Sequence, residues 1–165
     1  MQSINDRFEV ADVRITNWMA RHSVRLLRVS LGLIFFWFGF LKFFPGLSPA
    51  QDLAIKTISV MTFGLMPPQL SIILLATWES VIGLGLIFGV CMRGTLLLLF
   101  MQMIGTFTPL FFFTQECFTC FPYAWTMEGQ YIFKNLVLVS AGLVIGATVR
   151  GGSIVADPAN ETATG

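Results

Sequence analysis

Four apolar stretches, each about as long as a bilayer is thick, constrain this chain more than any other feature of its sequence. They cover residues 24–44, 70–90, 95–114 and 131–149. A helix that crosses the hydrocarbon core of a bilayer needs roughly 20 consecutive, mostly apolar residues. Because 55% of the 165 residues are hydrophobic and 12% are charged, a soluble domain of this length could not bury the apolar surface. The sequence therefore predicts an all-α integral membrane protein, a four-helix bundle.

The segment before the first stretch has the pattern of an amphipathic helix. Apolar and aromatic residues recur at alternating steps of four and three over residues 4–22, and arginines seven apart form a second stripe. This pattern predicts a helix on the membrane surface with its arginines toward anionic headgroups, and docking on a partner protein is the alternative. We expect residues 1–150 to form one transmembrane domain and residues 151–165 to form a polar tail.

The basic residues predict an orientation. With the N-terminus in the cytoplasm, every arginine falls on the inner side and every lysine falls on the outer half. The arginines are Arg7, Arg14, Arg21, Arg25, Arg28, Arg93 and Arg150, and the lysines are Lys42, Lys56 and Lys134. The positive-inside rule therefore favours four spans with both termini cytoplasmic. The net charge of +1 gives no basic field for nucleic acid, so we expect no nucleic-acid partner.

The stretch QECFTCFPYAW, residues 115–125, holds Cys117 and Cys120 in a C-x-x-C spacing on the predicted outer side. A structural disulfide is the first reading, and a redox-active dithiol and two packed free thiols are the alternatives. A metal site would need more ligands, and the one histidine of the chain lies on the other side, so we expect no metal. Cys91 is expected on the inner side as a free thiol.

Polar side chains inside the spans are the candidate site. Glu79 lies near the middle of the second span, Gln102 lies at a similar depth in the third, and Lys134 and Lys42 lie near the outer ends of the fourth and the first. A lone charge in the bilayer is costly, so Glu79 is expected to face inward and to find a partner. We predict that Glu79 and Lys134 share a pocket, with Gln102 beside them and Lys42 at its mouth. A structural role and a functional role for Glu79 both stay open.

Two segments carry a family resemblance. FFWFGFLKF, residues 35–43, resembles the F-x-W-F-G-x-L-K-F signature of the YkgB-like branch of the DoxX-like superfamily. EGQYIFKNLVLVSAG, residues 128–142, is similar to the G-[RQ]-[FY]-x-x-K-[DN]-L start of that family's fourth span. Weaker similarities lie at residues 78–89 and 105–112, and together the blocks run from about residue 28 to residue 146. Lys42, Glu79 and Lys134 fall on motif positions.

The resemblance implies a small four-helix protein of the bacterial inner membrane. Some members of the superfamily are membrane subunits of quinone-linked sulfur oxidoreductases, and others are tied to oxidant resistance. It therefore suggests a redox-associated subunit that contacts a quinone or an oxidoreductase partner, with quinone as the cofactor to test. A non-enzymatic anchor or assembly module of a larger complex is the alternative, and a small-solute carrier is a more distant one. No catalytic residue carries over, so the resemblance leaves open whether the protein is an enzyme.

Overall fold

The computed structural model describes residues 2–44, 46–48 and 51–152, with side chains described from residue 12 onward. The apolar stripe before residue 12 and most of the predicted polar tail therefore lie outside the described side chains. Eight helices and one short hairpin make up the described part. They are α1 (Gln2–Leu41), α2 (Gln51–Met61), α3 (Pro68–Phe88), α4 (Met92–Phe107), α5 (Pro109–Phe112), α6 (Thr114–Cys117), β1 (Phe118–Cys120), β2 (Ala124–Trp125), α7 (Met127–Phe133) and α8 (Asn135–Thr148).

Four helical segments are long and apolar enough to cross a membrane. They are Asp12–Leu41, Pro68–Phe88, Met92–Phe112 and Met127–Thr148. The predicted all-α membrane bundle is confirmed, and the chain is a multi-pass membrane protein. Each predicted span overlaps one of these segments. The ends differ by one to four residues, except that the first segment begins twelve residues before the predicted span. The fourth begins earlier than predicted because the hydroxyl of Thr126 accepts a hydrogen bond from the Gly129 amide at 3.1 Å and starts the helix there.

The predicted surface helix and the first span are one continuous helix. α1 runs unbroken for 40 residues, which corresponds to about 60 Å at the rise of an α-helix. The prediction of separate elements at residues 4–22 and 24–44 is therefore wrong, because no proline or glycine occurs before Gly32 to interrupt the hydrogen-bond ladder. α1 is therefore about twice as long as the bilayer core is thick, and its N-terminal half projects from the bundle.

The ends of the bundle differ. The end with α2 and the hairpin is called the loop end, and the opposite end, with the α3–α4 turn, is called the turn end. α1 packs along α3 at a distance that only glycine allows, since a Cβ at Gly83 would collide with the backbone of Phe36. Large side chains fill the turn half around that seam: Leu31, Phe35, Ile82, Leu86, Leu99, Met103 and Ile145 are buried.

Pro109 divides the third span into two helices. The helix ends at Phe107 and resumes at Pro109, because proline has no N–H to continue the ladder. The carbonyl of Gly105 accepts the amide of Thr108 at 3.3 Å instead. The hydroxyl of Thr108 donates to the carbonyl of Ile104, one turn earlier, at 3.0 Å. The backbone groups beside Pro109 are thus satisfied locally, in the loop half of the bundle.

Candidate functional site

A three-residue polar cluster lies in the loop half of the bundle. The Nζ of Lys42, just after α1, lies 2.5 Å from the Oε2 of Glu79 in the middle of α3. The Nε2 of Gln102, in α4, donates to the other carboxylate oxygen of Glu79 at 3.1 Å. Lys42 also donates to the carbonyl of Phe38 at 3.3 Å. Three helices therefore meet at one carboxylate, and both of its oxygens accept a hydrogen bond.

Lys134 is not the partner of Glu79. Its Nζ lies 3.5 Å from the centroid of the Tyr131 ring and 5.1 Å from that of Phe38, so the ammonium rests on aromatic faces. The predicted Glu79–Lys134 pair is therefore corrected to a Glu79–Lys42 pair. By their depth in the membrane, both lysines could have reached Glu79. Lys134 follows α7 on the exposed side of the bundle, whereas Lys42 lies in the seam between α1 and α3. Gln102 lies beside Glu79 as predicted.

A cavity of about 390 Å³ adjoins this cluster. Its volume lies within the range of about 300–1,000 Å³ that is typical of small-molecule sites. Most of its wall is apolar, and Lys42, Glu79 and Gln102 supply its charged and amide groups. The other residues that line the cavity are Leu53, Ala54, Thr57, Ile58, Met61, Met66, Ser71, Leu74, Leu75, Trp78, Met101, Gly105, Thr106, Pro109, Tyr131 and Ile132. Lys134 does not line it, although its neighbour Tyr131 does.

The short helix α2 covers the loop end of the cavity. Leu53 and Thr57 are buried one turn apart on its inner face, and Met61 continues that face. The hydroxyl of Thr57 donates to the carbonyl of Leu53 at 2.7 Å, so it is satisfied within the helix. α2 was not predicted to be part of the site. The recurrence of Leu53, Thr57 and Met61 every four residues was the signal that could have identified a packed face.

The C-x-x-C stretch lies at the loop end, outside the cavity. No disulfide is formed in this structure: Cys117 and Cys120 are both free thiols. Cys117 is fully buried at the end of α6, and burial followed by the charges of Glu116 and Glu128 raises the pKa of its thiol. Cys120 is exposed on β1, and its Sγ lies 3.0 Å from the hydroxyl of Tyr123; the hydrogen bond between them raises the pKa of Tyr123.

The hairpin is held firmly against α7. The hydroxyl of Thr126 donates to the carbonyl of Glu116 at 2.6 Å, and the amide of Thr126 donates to the carbonyl of Cys117 at 3.0 Å. Gly129 lies so close to the Cys117 carbonyl that a Cβ there would collide with it. The segment that carries the cysteines therefore has a defined position on the bundle.

A second, polar cavity of about 630 Å³ lies at the loop-end surface. The exposed pair of Lys56 and Glu116, 2.8 Å apart, borders it, and the hydrogen bond from Lys56 to Glu116 raises the pKa of Lys56. Asp52 and Glu128 line the same cavity. In the part of the chain that the structure describes, no group of three His, Cys, Asp or Glu side chains could hold a metal ion.

The matched family segment contains the polar cluster. The chain matches the DoxX family over residues 23–115, which is more than half of its length. The chain belongs to the DoxX family. The match supports the superfamily that the sequence resembles, but it does not distinguish the YkgB-like branch. In this DoxX protein, Lys42, Glu79 and Gln102 all lie within the matched segment and Lys134 lies beyond it. Neither a curated protein nor a solved structure matches the chain.

Proposed function

We propose that this DoxX protein is a redox-associated membrane subunit that binds a quinone or quinol in the cavity beside Glu79. The observation that carries the proposal is the composition of that cavity. Its walls are apolar, and its one concentrated polar group is a carboxylate held by an ammonium and an amide. A quinone has the matching chemistry, because it has an apolar ring with polar oxygens at its edge.

The polar cluster supplies groups for both redox forms. A lysine ammonium has three N–H donors, and among the described residues two of them go to Phe38 and Glu79. The third N–H can donate to a quinone carbonyl. The carboxylate of Glu79 can accept a hydrogen bond from a quinol hydroxyl, and its acid form can return a proton. The electrons come from an oxidoreductase partner, because the polar cluster contains no redox-active side chain.

Quinone binding is measured on the purified protein in lipid nanodiscs. We expect quinone added to the lipid to bind to protein-containing nanodiscs above the level of empty ones. Gln102→Leu removes the amide next to Glu79 and should weaken binding. Gln115→Leu makes the same change at an exposed position of α6 and should leave binding unchanged. Equal quinone content in protein-containing and empty nanodiscs would refute the proposal.

A second candidate function is assembly of a larger membrane complex, and the length of α1 favours it. The part of α1 that projects from the bundle exposes large apolar residues, Val13, Ile15, Trp18 and Met19. An apolar surface beyond the bundle is typical of contact with another protein or with lipid. A photoreactive residue at position 18 should crosslink a protein in native membranes, whereas one at Leu97, exposed on the bundle, should crosslink lipid. Lipid crosslinks alone at position 18 would remove the support for this function.

We also propose a location in a bacterial inner membrane with both termini cytoplasmic. Four spans put the start of the first span and the end of the fourth at the turn end, and Arg28 lies against Gly89 at that same end. The arginines of the described side chains cluster there, and the lysines lie in the loop half. This asymmetry is the pattern of the positive-inside rule.

A further inference from the structure

Several side chains that line the cavity are also exposed on the outer surface of the bundle. Leu74 is 48% exposed, Met101 is 52% exposed and Trp78 is 37% exposed. A residue can face both an interior cavity and the surroundings only at the edge of an opening. Because α3 and α4 are membrane-spanning helices, the surroundings at this depth are lipid.

The opening lies along the seam between α3 and α4. Leu74 and Trp78 are one turn apart on α3, and Met101 and Gly105 are one turn apart on α4. A Cβ at Gly105 would meet nothing within 4 Å, so there is open space at that point. On the turn side the seam is closed, because the indole N–H of Trp78 donates to the carbonyl of Leu98 at 3.2 Å.

The seam between α1 and α3 offers no comparable opening. At Gly39, an added Cβ would lie 2.8 Å from the amide nitrogen of Ser80, which is closer than real Cβ atoms approach. α2 covers the loop end with the buried residues Leu53 and Thr57, and at the end of α2 Met61 lines the cavity and is 51% exposed. The α3–α4 seam is the wall where exposed lining residues of both helices flank the open space at Gly105.

We propose that the cavity opens sideways into the bilayer between α3 and α4, and that its ligand is a tailed amphiphile that enters from the lipid. Its hydrogen-bonding head lies at Lys42, Glu79 and Gln102, and its apolar tail leaves past Leu74 and Met101. This inference rests on the proposed function, because it concerns the ligand of the same cavity. It restricts the substrate class to membrane-dissolved molecules, since a water-soluble solute gains nothing from an apolar opening at this depth.

Two photoreactive quinone analogues test the route in nanodiscs that contain the intact protein. One carries the reactive group on the ring, and the other carries it partway along an isoprenoid tail. We expect the ring probe to label residues near Glu79 and Gln102. We expect the tail probe to label the α3–α4 seam, at Leu74, Met101 or their lipid-facing neighbours.

The two probes separate the two claims. Labelling of α2 or of residues 62–66 by the tail probe, with the ring probe still in the cavity, would overturn the lateral opening and leave the proposed function intact. If the ring probe does not label the cavity, the proposed function is overturned. The tailed ligand proposed for the opening is then overturned as well.

A matched pair of glycine variants gives a second readout. Gly105→Trp places a large side chain in the open space of the seam, and Gly94→Trp makes the same change in the same helix, also in open space but away from the cavity. We expect Gly105→Trp to weaken binding of the tailed quinone about tenfold or more and Gly94→Trp to leave it unchanged. Equal binding by the two variants, with both folded, would contradict the opening. If Gly105→Trp does not fold, the tail probe decides.

Discussion

The Nζ of Lys42 lies 2.5 Å from the Oε2 of Glu79, and this ion pair ties the end of α1 to the middle of α3. The side chains are 10% and 12% exposed, so both charges are largely removed from water. Each side chain is the counter-ion of the other in a region where a lone charge is costly. The same pair forms the polar end of the cavity, so the stability of the bundle and the proposed ligand site depend on the same two residues.

Breaking this pair should destabilise the bundle. Lys42→Met leaves the Glu79 carboxylate without its cation, and we expect a loss of about 3 kcal/mol in unfolding free energy, as for other buried pairs. The double variant with Glu79→Leu should recover part of that loss, because it removes both charges. Thermal unfolding of the four proteins of this double-mutant cycle in one detergent measures the coupling between the two residues.

Two other lysines serve as controls for that cycle. Lys56→Met removes an exposed ion pair with Glu116 and should leave stability unchanged, since exposed pairs contribute little. Lys134→Met should cost about 0.5–1 kcal/mol, the value of an exposed cation–π contact. If Lys134→Met proved more destabilising than Lys42→Met, Lys134 would be the partner of Glu79 after all.

The close contact of α1 with α3 makes Gly83 sensitive to substitution. Gly83→Ala places a methyl group against the backbone of Phe36, which must move, and we expect destabilisation of about 1–3 kcal/mol. Gly94→Ala adds the same methyl group in open space within α4, where alanine is the better helix former, and should be neutral or stabilising. Similar unfolding temperatures for the two variants would show that the seam is looser than the structure has it.

The two thiols of the C-x-x-C stretch should differ in reactivity. Cys120 is exposed and should react readily with a maleimide, while Cys117 is buried and should react only on unfolding. Because burial raises the pKa of Cys117, its thiol form is stabilised by folding below its usual pKa, and that contribution is lost as the pH rises through the raised value. Mass spectrometry of the labelled protein, without reductant, identifies the modified residue. A Cys117–Cys120 disulfide in that spectrum would contradict the two free thiols of the structure.

The orientation can be tested with the chain's own cysteines. Cys91 is exposed at the turn end and Cys120 is exposed at the loop end, so they report on opposite sides of the membrane. With cytoplasmic termini, an impermeant maleimide should label Cys120 and not Cys91 in cells whose outer barrier has been opened. After the membrane is permeabilised, both should be labelled. Labelling of Cys91 alone before permeabilisation would reverse the orientation.

The span positions and the depth of each polar residue could be predicted from the sequence. A span is a local property, since it needs only enough consecutive apolar residues, and depth follows from counting along the helix. For this reason the all-α bundle, the break in the helix at Pro109 and the proximity of Gln102 to Glu79 could be predicted from the sequence. The unbroken run of α1 through residues 2–41 could in principle have been predicted too, from the absence of proline and glycine before Gly32, but the change in polarity suggested two elements.

The partner of Glu79 and the shape of the cavity were decided by the tertiary structure. Which lysine reaches Glu79 depends on the rotation of each helix about its axis, and that rotation is set by contacts such as Gly83 against Phe36. Depth is the same for Lys42 and Lys134 to within a turn, so no count along the chain separates them. The cavity exists because α2 covers the space that the bend at Pro109 and the glycine at 105 leave open, and such coverage involves residues far apart in the sequence. Sequence periodicity describes one helix at a time, whereas an enclosed site is a property of several helices packed together.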